Sequence, residues 1–179
     1  MDITYRSAQN NDCPILAEYI YFAAEGVLDY LFKDTIPGIT VTQLLTFGLE
    51  DEQRYNSYKG IVVAEYSRQI IGMIQAYSNI HHRIKEFYDS RIDNSLLINA
   101  IYVDEKFRRQ GIANQLISMV REEARSLGFD KLSLFVFADN IPAQKLYYSN
   151  GFKTLKEIAF NDSAKIDHEG NIHVMACDI

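Results

Sequence analysis

Cysteine is scarce in this chain. Cys13 and Cys177 stand at opposite ends, with no paired spacing that would make a disulfide framework or a metal site. That scarcity predicts incidental thiols and a cytoplasmic protein. No apolar run approaches the roughly 20 residues that a membrane-spanning helix needs. The opening stretch, with Asp2, Asp12 and Glu18, lacks the basic and apolar order of a secretory signal, so no membrane is expected. Positive charge is short as well: a net charge of −6 argues against broad nucleic-acid binding, and no nucleic acid is expected as a partner. Repeats, linkers and low-complexity stretches are missing too. What is left is one domain over residues 1–179, with 47% apolar residues and enough length for a full core.

Two common phosphate motifs are absent. No Gly-Lys-Ser/Thr is present to make a Walker loop, and only one of the three glycines of a dinucleotide fingerprint stands at the candidate loop. What the chain does hold is Arg108-Arg109-Gln110-Gly111-Ile112-Ala113, directly after an apolar strand and at the mouth of an amphipathic helix. A loop that turns from strand into helix aims several backbone N–H groups at one point, where the helix dipole adds positive potential. Gly111 lets the backbone approach a ligand closely, and Arg108 and Arg109 add flexible charge. The combination points to a pyrophosphate-bearing cofactor.

The flanking elements fit that reading. Residues 96–103 form a largely buried strand and Asp104-Glu105-Lys106 a polar turn. Ile112, Leu116, Met119, Val120, Ala124 and Leu127 fall on one helical face, and Gly128 is placed to end that helix in the left-handed conformation. Residues 132–137 form the next strand, which completes one parallel crossover unit. A second motif follows as Asn140-x-x-Ala143-x-x-Leu146-Tyr147-x-x-x-Gly151-Phe152. Asp139 or Asn140 can cap a short helix with Pro142 in its first turn, and Gly151 ends it. Seven residues apart on a helix, Asn140 and Tyr147 look the same way. Tyr148 is the better candidate for a merely packed tyrosine.

From Leu96 to Phe152 the chain resembles the GNAT superfamily of acyl-CoA-dependent N-acyltransferases, on the strength of both motifs in the right order. The resemblance implies an α/β (α+β mixed) fold. Its centre is a mixed, mostly antiparallel twisted sheet of about seven strands with helices on both faces. It also implies acetyl-CoA as co-substrate, with no metal. Backbone of Ile101, Tyr102 and Val103 would hold the pantetheine arm, with an N–H near Val103 stabilising the oxyanion. Amides of Arg109, Gln110, Gly111, Ile112, Ala113 and Asn114 would hold the pyrophosphate. Arg108 would pack on the cofactor, Asn140 steady the arm, and Tyr147 act as general acid. Asn99 stands on the strand where many relatives carry an acid, and could position a water. Glu65, Glu105, His81 and His82 are fallback bases, which leaves the base open.

The remaining elements follow from local pattern. A first strand covers residues 3–6. A helix capped by Asp12 runs to about Tyr30, with Pro14 in its first turn, and a second runs from Val41 to about Tyr55. Strands cover 61–66 and 70–77 with a turn at 67–69, and two more at 152–158 and 172–177 close the sheet. Adjacent His81 and His82 on a strand would face opposite ways, which makes them a poor metal pair. Glu18, Glu25, Asp29, Asp34 and Glu50-Asp51-Glu52 tilt the N-terminal region acidic. That tilt favours a cationic acceptor: a polyamine, an aminoglycoside-like compound, a small amino compound or a peptide amine. A homodimer is the expected assembly. The competing reading is a non-catalytic acyl-CoA-binding regulator on the same fold, which Tyr147 disfavours and Asn99 favours.

Overall fold

The computed structural model describes residues 2–32, 35–78, 90–160, 166 and 168–179. Seven strands form one mixed sheet flanked by helices, in the order β1-β2-β3-β4-β5-β7-β6. The chain divides into two compact units, Met1–Gln75 with Ala100–Leu116, and Ala76–Asn99 with Ile117–Ile179.

In the first unit, β1 (Thr4–Ser7), β2 (Ile61–Tyr66) and β3 (Gln69–Ser78, to Gln75 in this unit) pair antiparallel. Three helices accompany them: α1 (Cys13–Ala23), α2 (Val27–Phe32) and α3 (Val41–Glu50). Leu16, Ala17 and Ile20 of α1 and Leu49 of α3 are buried in one cluster with Ile61, Val63 and Met73. The first helix ends at Ala23 rather than near Tyr30, because Glu25 and Gly26 both take positive φ (48° and 89°) and break the ladder. The helix that opens at Val41 stops at Glu50 rather than near Tyr55. There Asp51 is extended, and its carboxylate accepts the Gln53 N–H at 3.1 Å to form a local turn. Its start follows the reciprocal capping pattern: Thr40 Oγ1 accepts from the Gln43 amide, and Gln43 Oε1 from the Thr40 amide.

Asp12 precedes α1 but makes no side-chain cap to it. Its buried carboxylate instead accepts from Arg6 Nη1 at 2.7 Å and from the Gln9 amide at 2.8 Å, while Arg6 Nε reaches Glu65 at 2.9 Å. Burial pushes the Asp12 carboxyl up, but Arg6 and the Gln9 amide outweigh it and hold it below the ordinary carboxylate range. A depressed carboxyl contributes stability that is complete above its unfolded value and is lost as pH falls through its folded value. Asp12→Asn is therefore expected to cost about 1–3 kcal/mol near neutral pH, by leaving Arg6 under-satisfied, and to flatten the acid limb of the unfolding profile. Urea titrations across the acid range check this. An unchanged acid limb would remove Asp12 from the account.

The second unit holds β5 (Lys131–Phe137), β6 (Lys153–Ile158), β7 (Ile172–Asp178) and the start of β4 (Ser95–Val103). β4 and β5 are parallel, and β7 pairs antiparallel with both β5 and β6. Between β4 and β5 runs α4 (Ile112–Ser126), with Ile112, Leu116, Ile117, Val120 and Ala124 buried. Ile117 belongs to the buried stripe. Leu127 does not: it is 61% exposed, because it sits past the last helical turn. Gly128 (φ +80°) ends the helix: its amide bonds Arg125 O and the Phe129 amide bonds Ala124 O, which is the Schellman pattern.

The short helix α5 (Ile141–Ser149) is closed in the same way. Asn140 Oδ1 caps it by accepting from the Ala143 amide at 3.0 Å, and Pro142 lies in its first turn. At the far end Gly151 (φ +87°) lets its amide reach Tyr148 O while the Phe152 amide reaches Tyr147 O. The Phe152 ring packs on Tyr147, with centroids 5.7 Å apart. Each end of the second motif thus has a stated local job, from N-cap to C-terminal staple.

Candidate functional site

The candidate phosphate loop, residues 108–113, lies wholly in the first unit. After β4 ends at Val103, the Asp104 amide bonds Ile71 O at 2.9 Å, and its carboxylate accepts from the Lys106 amide. Arg109 (φ +65°) and Gly111 (φ +81°) both take the left-handed conformation around Gln110. For Arg109 that costs roughly 1–2 kcal/mol. Alternating conformations of this kind turn successive amides toward one side, as in anion-binding nests. The first α4 bond from this region joins the Gln115 amide to Gly111 O. Among the described residues, the amides of Arg109, Gln110, Gly111, Ile112 and Ala113 have no backbone acceptor. Arg109, Gln110, Gly111 and Asn114 are exposed.

Arg108 is held rather than flexible. Its Nε donates to Val103 O at 3.0 Å, its guanidinium lies 6.0 Å from the Tyr102 ring centre, and Glu105 approaches at 3.5 Å. It fastens the loop to the end of the strand. Tyr102 is engaged through its ring, which stacks on Tyr19 (4.5 Å) and lies beside Phe22 (5.8 Å). Burial raises the Tyr102 phenol above its ordinary value and pushes Tyr19 up to about 12, which keeps both neutral in the cell. Ile101, Tyr102 and Val103 can therefore offer a ligand mainly their backbone.

Gly72 of β3 is the neighbour that this strand end requires. A Cβ there would stand 2.9 Å from Tyr102 O and 3.3 Å from Val103 Cγ2. Gly72→Ala is expected to push back Tyr102 and Val103 and destabilise the fold by about 1–3 kcal/mol. Acetyl-CoA affinity should fall with it. Thermal melts and cofactor titration check both, and wild-type values in both would show that the strand end tolerates displacement.

In the second unit, pairing between β4 and β5 runs from Ser95↔Lys131 to Ile98↔Leu134, with none recorded beyond that among the described residues. β5 continues to Phe137, paired there with β7. Asn99, exposed on β4 just past the last pair, accepts a hydrogen bond at its Oδ1 from the Tyr77 hydroxyl at 2.8 Å. In sequence, Tyr77 carries no signal beyond its place on the strand 70–77. Gln144, buried, is another residue without a sequence signal: its amide donates to Phe137 O and Ala138 O at 3.3 and 2.7 Å, tying α5 to the end of β5.

Tyr147 is 7% exposed and Tyr148 is 48% exposed, with its hydroxyl on Thr154 Oγ1. The packed tyrosine of the pair is thus Tyr147, the reverse of the expectation, because Tyr147 faces the Phe152 staple. Of the fallback bases, Glu65 is engaged by Arg6 and Glu105 is exposed beside Arg108. His81 and His82 lie outside the described residues, as does Asp34. Among the described residues, no group of three or more His, Cys, Asp or Glu could hold a metal ion, and no helix is long and apolar enough to cross a membrane.

This fold is that of the N-acetyltransferases. An N-acetyltransferase from Staphylococcus aureus Mu50 superposes with a TM-score of 0.74 at 20% identity, covering 97% of this chain and 99% of that one. The paiA N-acetyltransferase of Thermoplasma acidophilum, solved with coenzyme A, gives 0.64 at 19% identity, with all of both chains covered. In sequence, an uncharacterized N-acetyltransferase of Bacillus subtilis (strain 168), YycN, is 47% identical over 49 residues, which is 27% of this chain and 31% of that one. Human N-acetyltransferase 8 is 32% identical over 91 residues, 51% of this chain and 37% of that one. The matches therefore span about a third of the length of either curated relative. The model of the Acetyltransferase (GNAT) family matches residues 28–152, and the chain belongs to that family.

Proposed function

We propose that this protein is an N-acetyltransferase that moves the acetyl group of acetyl-CoA to a primary amine by direct attack. Family membership supports acyl transfer. The observation that carries the cofactor is the loop in which Arg109 and Gly111 turn left-handed and leave the amides of residues 109–113 without backbone acceptors. These amides and that of Asn114 hold the pyrophosphate at the positive end of α4. Arg108 shapes the loop from behind.

Chemistry follows at the thioester. Backbone of Ile101, Tyr102 and Val103 holds the pantetheine arm, and an amide near Val103 stabilises the oxyanion of the tetrahedral intermediate. The Asp104 amide is not that donor, since it already serves Ile71 O. Asn140 steadies the arm from the N-terminus of α5, which its Oδ1 caps. As the C–S bond breaks, Tyr147 gives its hydroxyl proton to the departing thiolate. Asn99, whose amide is oriented by Tyr77, holds a water near the reacting amine rather than accepting a proton itself. The cytoplasm suits both cysteines, which are free and buried.

The acceptor is a cationic amine, a choice supported by exposed acids at Glu25 and Glu52 and by Asp29. The test incubates protein and acetyl-CoA with spermidine, an aminoglycoside or a short peptide with a free amino terminus, and follows thiol release and acetylated product. Release that requires an amine is the expected result. Tight acetyl-CoA binding without release for any amine would replace the enzyme with the acyl-CoA-binding regulator, a reading that the amide Asn99 otherwise favours.

A further inference from the structure

The first unit carries an aromatic surface that the cofactor chemistry does not use. Phe22, in the last turn of α1, is 54% exposed. Its ring lies 5.8 Å from that of Tyr102, with 32° between planes, and Tyr102 stacks in turn on Tyr19 at 4.5 Å and 30°. The three rings make one array, in which Tyr19 is buried, Tyr102 is half-buried and Phe22 is open to solvent. Aromatic groups favour such tilted and offset arrangements, so the exposed face of Phe22 is a seat for one more ring.

The neighbourhood of that seat is apolar and acidic. Glu25 and Gly26, both left-handed, lead the chain out of α1, and every residue of α2 except Asp29 is apolar, with none of them buried. Tyr21 Oη donates to Asp29 Oδ2 at 2.5 Å, which ties α2 to the end of α1 beside Phe22. Glu18, exposed, stands four residues before Phe22 on the same face of α1. Between Ser7 and Gln53 the sequence holds eight acidic residues and one basic residue, Lys33. Arg108 lies 6.0 Å from the Tyr102 ring centre, but Glu105 stands 3.5 Å from its guanidinium. Negative charge around an exposed ring fits a cation that carries an apolar ring of its own. Ring faces give no hydrogen-bond partner to a peptide backbone or to the hydroxyls of an aminoglycoside, which would lose water there without return. A polyamine would answer the acids and leave the rings uncovered.

We infer that the acceptor is a primary amine carrying an aromatic ring on a short chain, and that Phe22 selects it by packing on that ring. This inference rests on the acetyltransferase reading above and narrows its acceptor. Tyr102 supplies the link: its ring touches Phe22, while its backbone, with that of Ile101 and Val103, is the segment proposed to hold the pantetheine arm. Seat and thioester thus flank one residue, which keeps the chain between ring and nitrogen short. All of these residues belong to the first unit.

The experiment measures kcat and KM for 2-phenylethylamine, butylamine, spermidine and a short peptide with a free amino terminus. Wild type, Phe22→Ala and Phe22→Tyr are compared, with acetyl-CoA binding followed calorimetrically in each. Wild type should favour 2-phenylethylamine over the other three by at least about tenfold in kcat/KM. Phe22→Ala should raise KM for 2-phenylethylamine about tenfold, the worth of one well-packed ring pair. Its kcat should stay within about twofold, and its kcat/KM for butylamine and its acetyl-CoA affinity should match wild type. Phe22→Tyr keeps the ring and should behave as wild type. Wild type that uses butylamine, spermidine or the peptide as well as 2-phenylethylamine would overturn the aromatic acceptor. A Phe22→Ala protein that loses all amines alike, or none, would overturn the role of Phe22. Should Phe22→Ala fail to fold, Phe22→Leu, which keeps apolar bulk without a ring, decides by the same comparison. Wild type that binds no acetyl-CoA, or binds it and acetylates none of the amines, would instead overturn the acetyltransferase reading, and this acceptor with it.

Discussion

Tyr147→Phe is expected to lower turnover about a hundredfold or more while leaving acetyl-CoA affinity within about twofold of wild type. The structure makes this a clean substitution. Tyr147 sits at the position of α5 where the C-terminal cap lands: the Phe152 amide bonds its carbonyl and the Phe152 ring packs on its own ring. Phenylalanine keeps both contacts and loses only the hydroxyl. A phenol near 10 can protonate a thiolate near 8.5 only when geometry and surroundings help, so a correctly held hydroxyl is what the variant removes. Steady-state kinetics with thiol detection measure the effect. Equal turnover would move the acid to another residue, and a large fall in affinity would mean that the ring, rather than the hydroxyl, is what matters.

Gly111→Val is expected to weaken acetyl-CoA binding by at least about tenfold, or 1.4 kcal/mol, with the fold retained. At φ +81° a branched residue is strained, but a Cβ at Gly111 meets no protein atom within 4 Å. Internal clash is therefore absent, and the cost to the fold is backbone strain of roughly 1–2 kcal/mol, a few degrees in Tm. The bulk projects instead from the loop whose amides are proposed to hold the pyrophosphate. Gly111→Asn separates the two effects, since asparagine tolerates the left-handed conformation. It should melt close to wild type and still bind more weakly. Unchanged affinity in Gly111→Val would end the phosphate-loop assignment.

The parts of this molecule that were legible in the sequence are those decided by near neighbours. Asn140, Pro142, Gly151 and Phe152 announce the two ends of α5 because cap chemistry is local, and Gly128 does the same for α4. Gly111 marks the loop for the same reason, whereas the left-handed Arg109 beside it carries no such signal. Two helices end earlier than their pattern predicts. The positive φ of Glu25 could not be foreseen from a residue that ordinarily favours helix, and Asp51 makes its local turn at the head of Glu52-Gln53-Arg54, residues that themselves favour helix.

What stayed hidden is what the sheet and its connecting loops bring together. Asn99 and Tyr77 lie 22 residues apart in sequence, and Asp139 and His168 lie 29 apart. Neither spacing has a motif: for Asn99 and Tyr77 a shift of one residue in β3 or β4 would send the side chains to opposite faces, while Asp139 and His168 lie in loops beyond the strand ends. Asp12 shows the same limit on a smaller scale. Its place before α1 reads as a cap, but the arginine on β1 competes for the carboxylate and wins it.

The measurement that tests the central claim most directly is calorimetric titration of the purified chain with acetyl-CoA, with dephospho-CoA and ATP as controls. The account predicts saturable binding of acetyl-CoA with one site per chain and weaker binding of both controls. No binding would return residues 108–113 to an ordinary helix start and contradict the acetyltransferase reading.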